Sequence, residues 1–93
     1  MIRFTAGGWA DYASWSDNRK VLQRINRMLT EAARDPRQGI GKPEPLVGDL
    51  AGCWSRRIDH EHRLVYLVVD GDLVVLQARR HYWLRARREA SPT

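Results

Sequence analysis

Polar and apolar residues alternate at the start of the chain, where Ile2 and Phe4 interleave with Arg3 and Thr5 in "MIRFT". A period of two predicts a short first strand, and Gly7 and Gly8 are expected to end it. The period then lengthens. Trp9, Tyr12 and Trp15 share roughly one face of a short helical piece. A longer helix should follow, capped by Ser16 or Asp17. Its apolar positions are Val21, Leu22, Ile25, Met28, Leu29, Ala32 and Ala33, one stripe along the helix. Its other side carries Arg19, Lys20, Arg24, Arg27, Glu31 and Arg34, and Pro36 with Gly39 closes it.

From Leu46 onward the pattern is that of strands, around "GCWSRRID", then "HRLVYLVV", then "LVVLQARRHY", with "DGD" as a hairpin turn between the last two. This order predicts an α+β domain with two N-terminal helices packed on one face of a small, mostly antiparallel sheet. The other face should be open to a ligand and carry polar side chains. Register matters for that face. A two-residue loop at Asp70 and Gly71 sets Val69 opposite Asp72 and sends Arg63 and His81 to different faces. A bulged "DGD" turn sets Val69 opposite Leu73, Arg63 opposite Arg79, and His81 on their face. We expect the bulged form.

At 93 residues the chain is one small folding unit, with residues 1–83 as the domain and the basic end of "WLRARREASPT", residues 84–93, as a loosely attached tail. A net charge of +5 and a pI near 10.1 attract polyanions, nucleic acid or an acidic protein. A membrane partner is disfavoured, because no helix pattern has a large aromatic or leucine-rich face and no apolar run approaches the ~18 residues of a span. The lone Cys53 excludes an internal disulfide and favours the reducing cytosol. His60 and His62 in "DHEHR" find no third ligand at a sensible spacing, so no metal site is expected.

One acid stands out. Glu44 lies between Pro43 and Pro45 after a flexible Gly-Ile-Gly, and the two prolines leave its backbone little freedom to lose. Arg63 is as conspicuous, a charge inside an otherwise apolar strand that must meet solvent or an anion. In "WSRRI" Arg56 and Arg57 point to opposite faces. At the chain's end "RRHYW" offers Arg79, Arg80, His81 and Tyr82, and histidine, with an ordinary pKa of about 6.5, exchanges protons at neutral pH. A base, a cationic clamp and an acid are the minimum set for cleaving RNA without a metal or other cofactor. A basic module that binds RNA or an acidic protein without cutting has the same composition. Glu44 distinguishes the two, because an anion binder gains nothing from a rigid carboxylate beside its arginines.

The blocks "GKPEPL", "GCWSRRI", "EHRLVY" and the closing "HY" resemble, in order and spacing, the YoeB/Txe toxins of bacterial toxin-antitoxin pairs, within the RelE superfamily. The resemblance runs from "IRF" to Tyr82. It implies a RelE-like, microbial-ribonuclease-like fold and a ribosome-dependent messenger RNA endonuclease acting in the decoding site. Carried over by position, Glu44 resembles the general base, Arg63 the phosphate stabiliser and His81 the general acid. Arg57 resembles a second phosphate contact and Tyr82 a positioning or stacking residue. Lys42 beside Glu44, and Arg79 on the face that the bulged register gives it, are further candidate substrate contacts. The resemblance also implies an antitoxin with an acidic, partly disordered C-terminal segment, and homodimers. Val47, Gly48 and Asp49 depart from the family, where basic residues can follow "GKPEPL", and so does the tail beyond Tyr82.

Overall fold

In a computed structural model that describes residues 1–79, the chain forms β1 (Ile2–Phe4), α1 (Ala6–Ala13), α2 (Arg19–Arg34), β2 (Glu44–Pro45), β3 (Trp54–Arg57), β4 (Arg63–Val69) and β5 (Asp72–Gln77). The strands lie in the order β1-β5-β4-β3-β2, antiparallel except where β1 runs parallel to β5. This is the expected α+β architecture. Along α2, Ile25, Met28, Leu29 and Ala32 are buried, and they pack with Trp15 against Leu64, Tyr66, Leu73 and Val75 of the sheet. Both helices therefore cover one face.

The helix starts differ from the sequence expectation. Thr5 caps α1, its hydroxyl accepting the Gly8 N–H at 3.0 Å, so Gly7 and Gly8 lie inside the helix. Gly8 is there for contact, because a Cβ would stand 2.2 Å from the Val75 carbonyl oxygen. Asn18, and not Ser16 or Asp17, caps α2 by accepting the Val21 N–H at 3.2 Å. The three residues after Trp15 are used instead in a turn, in which the Asn18 N–H donates to the Trp15 carbonyl at 2.8 Å.

The second face is only partly open. Leu46, Cys53 and Val65 are buried there with Leu50, Leu67 and Leu76 against them. The segment after β2 folds back over this patch through a single 3₁₀ turn at Gly48–Leu50, closed where the Leu46 N–H donates to the Cys53 carbonyl at 2.9 Å. Polar residues hold only the end of the face beyond it.

The hairpin corrects the expected register. Val69 pairs with Asp72, so "DGD" makes a two-residue turn, with positive φ at Asp70 (51°) and Gly71 (83°), the geometry whose twist suits two antiparallel strands. The extra residue lies further down the ladder. Tyr66 pairs with Val75 but Val65 pairs with Gln77, which leaves Leu76 as a bulge. Beyond it the count is the one that a three-residue turn would have given. His81, Tyr82 and the expected tail lie outside the described residues.

Candidate active site

Arg57 ends β3 and Arg63 begins β4, and the two are direct cross-strand partners. Like charges placed opposite each other repel, so this corner of the sheet favours an anion. Glu44 supplies one. It pairs with Ser55 at the β2–β3 edge, and its Oε1 accepts a hydrogen bond from Arg63 Nη1 at 3.0 Å. The ion pair therefore reaches from β2 to β4 across the intervening β3. Ser55, beneath the crossing, is buried, and its hydroxyl has no hydrogen-bond partner among the described residues.

The two partners are not equally exposed. The Arg63 side chain retains 16% of its accessible surface and that of Glu44 retains 52%. The guanidinium is the more enclosed member, and the carboxylate is the more open to solvent. Arg57 is exposed, with its backbone held on both sides. Its N–H donates to the Gly41 carbonyl at 2.6 Å, and its carbonyl accepts from Arg24 Nη2 at 2.9 Å. Lys42, with a φ of 50°, is exposed in the loop that delivers Glu44.

Arg79 is placed differently from the sequence expectation. Its guanidinium stacks 4.0 Å from the centre of the Trp15 ring and donates to Ser14 Oγ at 3.0 Å. These contacts turn it toward the end of α1 and away from the face of Arg63. The reason lies one residue earlier, because Ala78 is pinned there. Its N–H donates to Asp11 Oδ2 at 3.1 Å and its carbonyl accepts from the Trp15 indole at 2.7 Å. The chain thus leaves β5 in a direction set by α1, two residues before Arg80. His62 packs its ring edge-on against Trp15, 5.0 Å between centres.

Strand alternation assigns Arg56 to a face and nothing more. Arg56 is wholly buried on the helix side, where its Nε donates to Tyr66 Oη at 2.8 Å. The signal was available in its position beside Trp54 and opposite Leu64, an arginine alternating onto an apolar face. Cys53 is buried, and burial pushes its thiol above the ordinary range. Among the described residues no three His, Cys, Asp or Glu side chains could hold a metal ion, and no helix is long and apolar enough to cross a membrane.

Residues 4–82 match the family model described as YoeB-like toxin of bacterial type II toxin-antitoxin system. A relative from Streptomyces coelicolor, called Toxin YoeB, is 60% identical over 82 residues, covering 87% of this chain and 98% of its own. Among solved structures, a YoeB/ParE toxin from Agrobacterium tumefaciens superposes with a TM-score of 0.83 at 44% identity, over 87% of this chain and 98% of that one. A Staphylococcus aureus relative is known in a YoeB-YefM complex, with a TM-score of 0.81 at 40% identity over 88% and 97% of the two chains. It is also known as a YoeB dimer, with a TM-score of 0.78 at 41% identity over 87% and 95%.

Proposed function

Because the chain belongs to the YoeB-like toxins of bacterial type II toxin-antitoxin systems, we propose that it is a ribosome-dependent endoribonuclease that cuts messenger RNA in the decoding site. The observation that carries this reading is the Glu44–Arg63 pair, 3.0 Å apart beside exposed Arg57. A carboxylate and two guanidiniums on one open corner fit a phosphodiester with a ribose hydroxyl next to it.

In the reaction the scissile phosphate docks between Arg57 and Arg63, which balance its charge as it becomes five-coordinate. Glu44, released from Arg63 by the competing phosphate, takes the proton of the 2′-hydroxyl. The 2′-oxygen then bonds to phosphorus, and the bond to the 5′-oxygen breaks. His81 protonates that leaving oxygen, and the products are a 2′,3′-cyclic phosphate and a free 5′-hydroxyl. RNA brings its own nucleophile, so the chemistry draws on no cofactor. Lys42 and Tyr82 extend the substrate contacts along the strand, and Arg79 steadies the start of the segment that carries His81.

The same basic corner suits an acidic antitoxin segment, and the S. aureus relative's complex with YefM supports such a partner. Its dimer supports self-association of this chain as well. The function is tested by mapping message 5′ ends on translating ribosomes with and without the protein. New ends at a constant offset within the decoding site are expected. Ribosome binding with no new ends would instead identify a non-catalytic RNA-binding module.

A further inference from the structure

Arg56 touches nothing in the exposed corner, yet its hydrogen bonds surround the loop that leads to it. Its Nη2 donates to the carbonyls of Gln38 at 2.7 Å and Asp35 at 3.2 Å, and its Nη1 donates to that of Ile40 at 3.2 Å. Tyr66 Oη, which accepts from Arg56 Nε, donates in turn to the Pro36 carbonyl at 2.6 Å. Burial raises the Tyr66 phenol above its ordinary range, against the opposing pull of Arg56, so it stays protonated as a donor. From α2, Glu31 Oε1 accepts the Ile40 N–H at 2.7 Å and lies 3.9 Å from Arg56 Nη1. The backbone from residue 35 to residue 40 has no regular structure, and it is wrapped around these three side chains.

The glycines of "GIG" follow from that wrapping. A Cβ on Gly39, at a φ of +126°, would stand 2.5 Å from Arg56 Nη1 and 2.3 Å from Glu31 Oε1. One on Gly41, at +88°, would stand 2.9 Å from Met28 Sδ, 3.0 Å from the Arg57 carbonyl oxygen and 3.1 Å from the Arg56 Cβ. The Gly41 carbonyl then meets the Arg57 N–H, and only Lys42 and Pro43 separate it from Glu44. So short and stiff a link passes on the direction of its anchored end with little slack.

We propose that Arg56, with Tyr66 and Glu31, is a positioning device for Glu44. It holds the loop from inside the domain so that the carboxylate enters the open corner at the angle the reaction needs. The inference rests on the reading of Glu44 as general base. An arginine suits the task because its rigid fork of donors meets several carbonyls at once, whereas a lysine presents a single point of charge.

The test compares Arg56→Lys and Tyr66→Phe with the wild type in single-turnover cleavage on saturating ribosomes. Tyr66→Phe is the gentler variant and suffices should Arg56→Lys not fold. Each should slow cleavage by roughly 10- to 10²-fold, the cost of misplacing a reacting group by about an ångström, with half-saturating ribosome concentration unchanged. In a Glu44→Gln background Tyr66→Phe should cost nothing more, because residues that act through one another do not add. Amide hydrogen exchange at Ile40 and Arg57 reads the loop without reference to catalysis, and it should accelerate in both variants. Equal slowing by Tyr66→Phe in the two backgrounds would overturn the proposal, as would loosened amides with wild-type cleavage. Wild-type cleavage by Glu44→Gln is a different pattern, which removes the general base and with it the purpose of the device.

Discussion

On the helix-covered face of the sheet Arg56 is sealed from water, its donors spent on backbone carbonyls and Tyr66. One residue later, on the opposite face, Arg57 stands in solvent across from Arg63, with Glu44 bridging to the latter. Strand alternation gives identical neighbours opposite work. A buried charge persists only where every donor is matched, and such matching makes it rigid. A charge at an open corner can exchange its partner for a substrate. Arg56 is held by the loop carbonyls around it, whereas the Glu44–Arg63 pair lies at the solvent-facing edge of the sheet.

Stability separates the two arginines most strongly. Arg56→Met should cost about 3–5 kcal/mol, since it leaves the buried Tyr66 hydroxyl and several part-buried loop carbonyls without their donor. Arg57→Met should stay within about 0.5 kcal/mol of wild type, as expected of an exposed position. Urea unfolding midpoints decide it, and similar losses at the two sites would erase the distinction between the faces. Next is Gly39→Ala, which should cost about 1–3 kcal/mol through positive φ and contact with Glu31 and Arg56. Gly52→Ala shares the positive φ (+96°) but meets nothing within 4 Å. It therefore isolates the backbone share, and the excess at Gly39 measures packing onto the buried network.

Arg79→Ala should cost less, about 0.5–1 kcal/mol for its stacking on Trp15, again read from unfolding midpoints. The smallest effect expected is the pH response of the loop anchor. The hydrogen bond from the Ile40 N–H, followed by that from Arg27, holds the Glu31 carboxyl below its ordinary value of 4.5. The N–H of Arg37 lowers Asp35 in the same way. A depressed folded-state pKa adds stability that is complete above the unfolded value and lost as pH falls through the folded one. Melting temperature should hold steady down to about pH 5 and then decline. Glu31→Gln should flatten part of that decline, and an unchanged slope would mean that the carboxylate does not anchor the loop.

Much of the architecture was legible because it is local. The stripe on α2, the alternation in β3 to β5 and the extended backbone of Glu44 each depend on a few neighbouring residues. The second apolar cluster was not legible, because it forms only when Leu46, Cys53 and Val65 meet across segments. The bulge at Leu76 was misplaced to the turn for a related reason. Setting Arg63 opposite Arg79 takes one extra residue somewhere in the hairpin, and the Asp-Gly pair suits a two-residue turn so well that the irregularity falls lower. In the site, Glu44 and Arg63 stand out in the sequence as charges in rigid or apolar surroundings, whereas Arg57 is marked only by strand alternation and by its place in the family motif. Arg56 did not, because its partners are main-chain carbonyls of a loop, and carbonyls leave no mark in a sequence. Arg79 carried the right charge, but the grip of Asp11 and Trp15 on Ala78 comes from α1 and the turn after it, more than sixty residues earlier.

The proposed function stands on Glu44 as the proton acceptor of an RNA-cleaving site clamped by Arg63. The most direct measurement is the single-turnover rate of message cleavage on programmed ribosomes saturated with Glu44→Gln, beside the wild type and with ribosome affinity measured in parallel. The amide keeps the shape of the carboxylate and removes its basicity. With Glu44 as the base, the rate should be lower by roughly 10²- to 10⁴-fold, the share a positioned base supplies, with affinity preserved. Cleavage at the wild-type rate by Glu44→Gln would contradict that role.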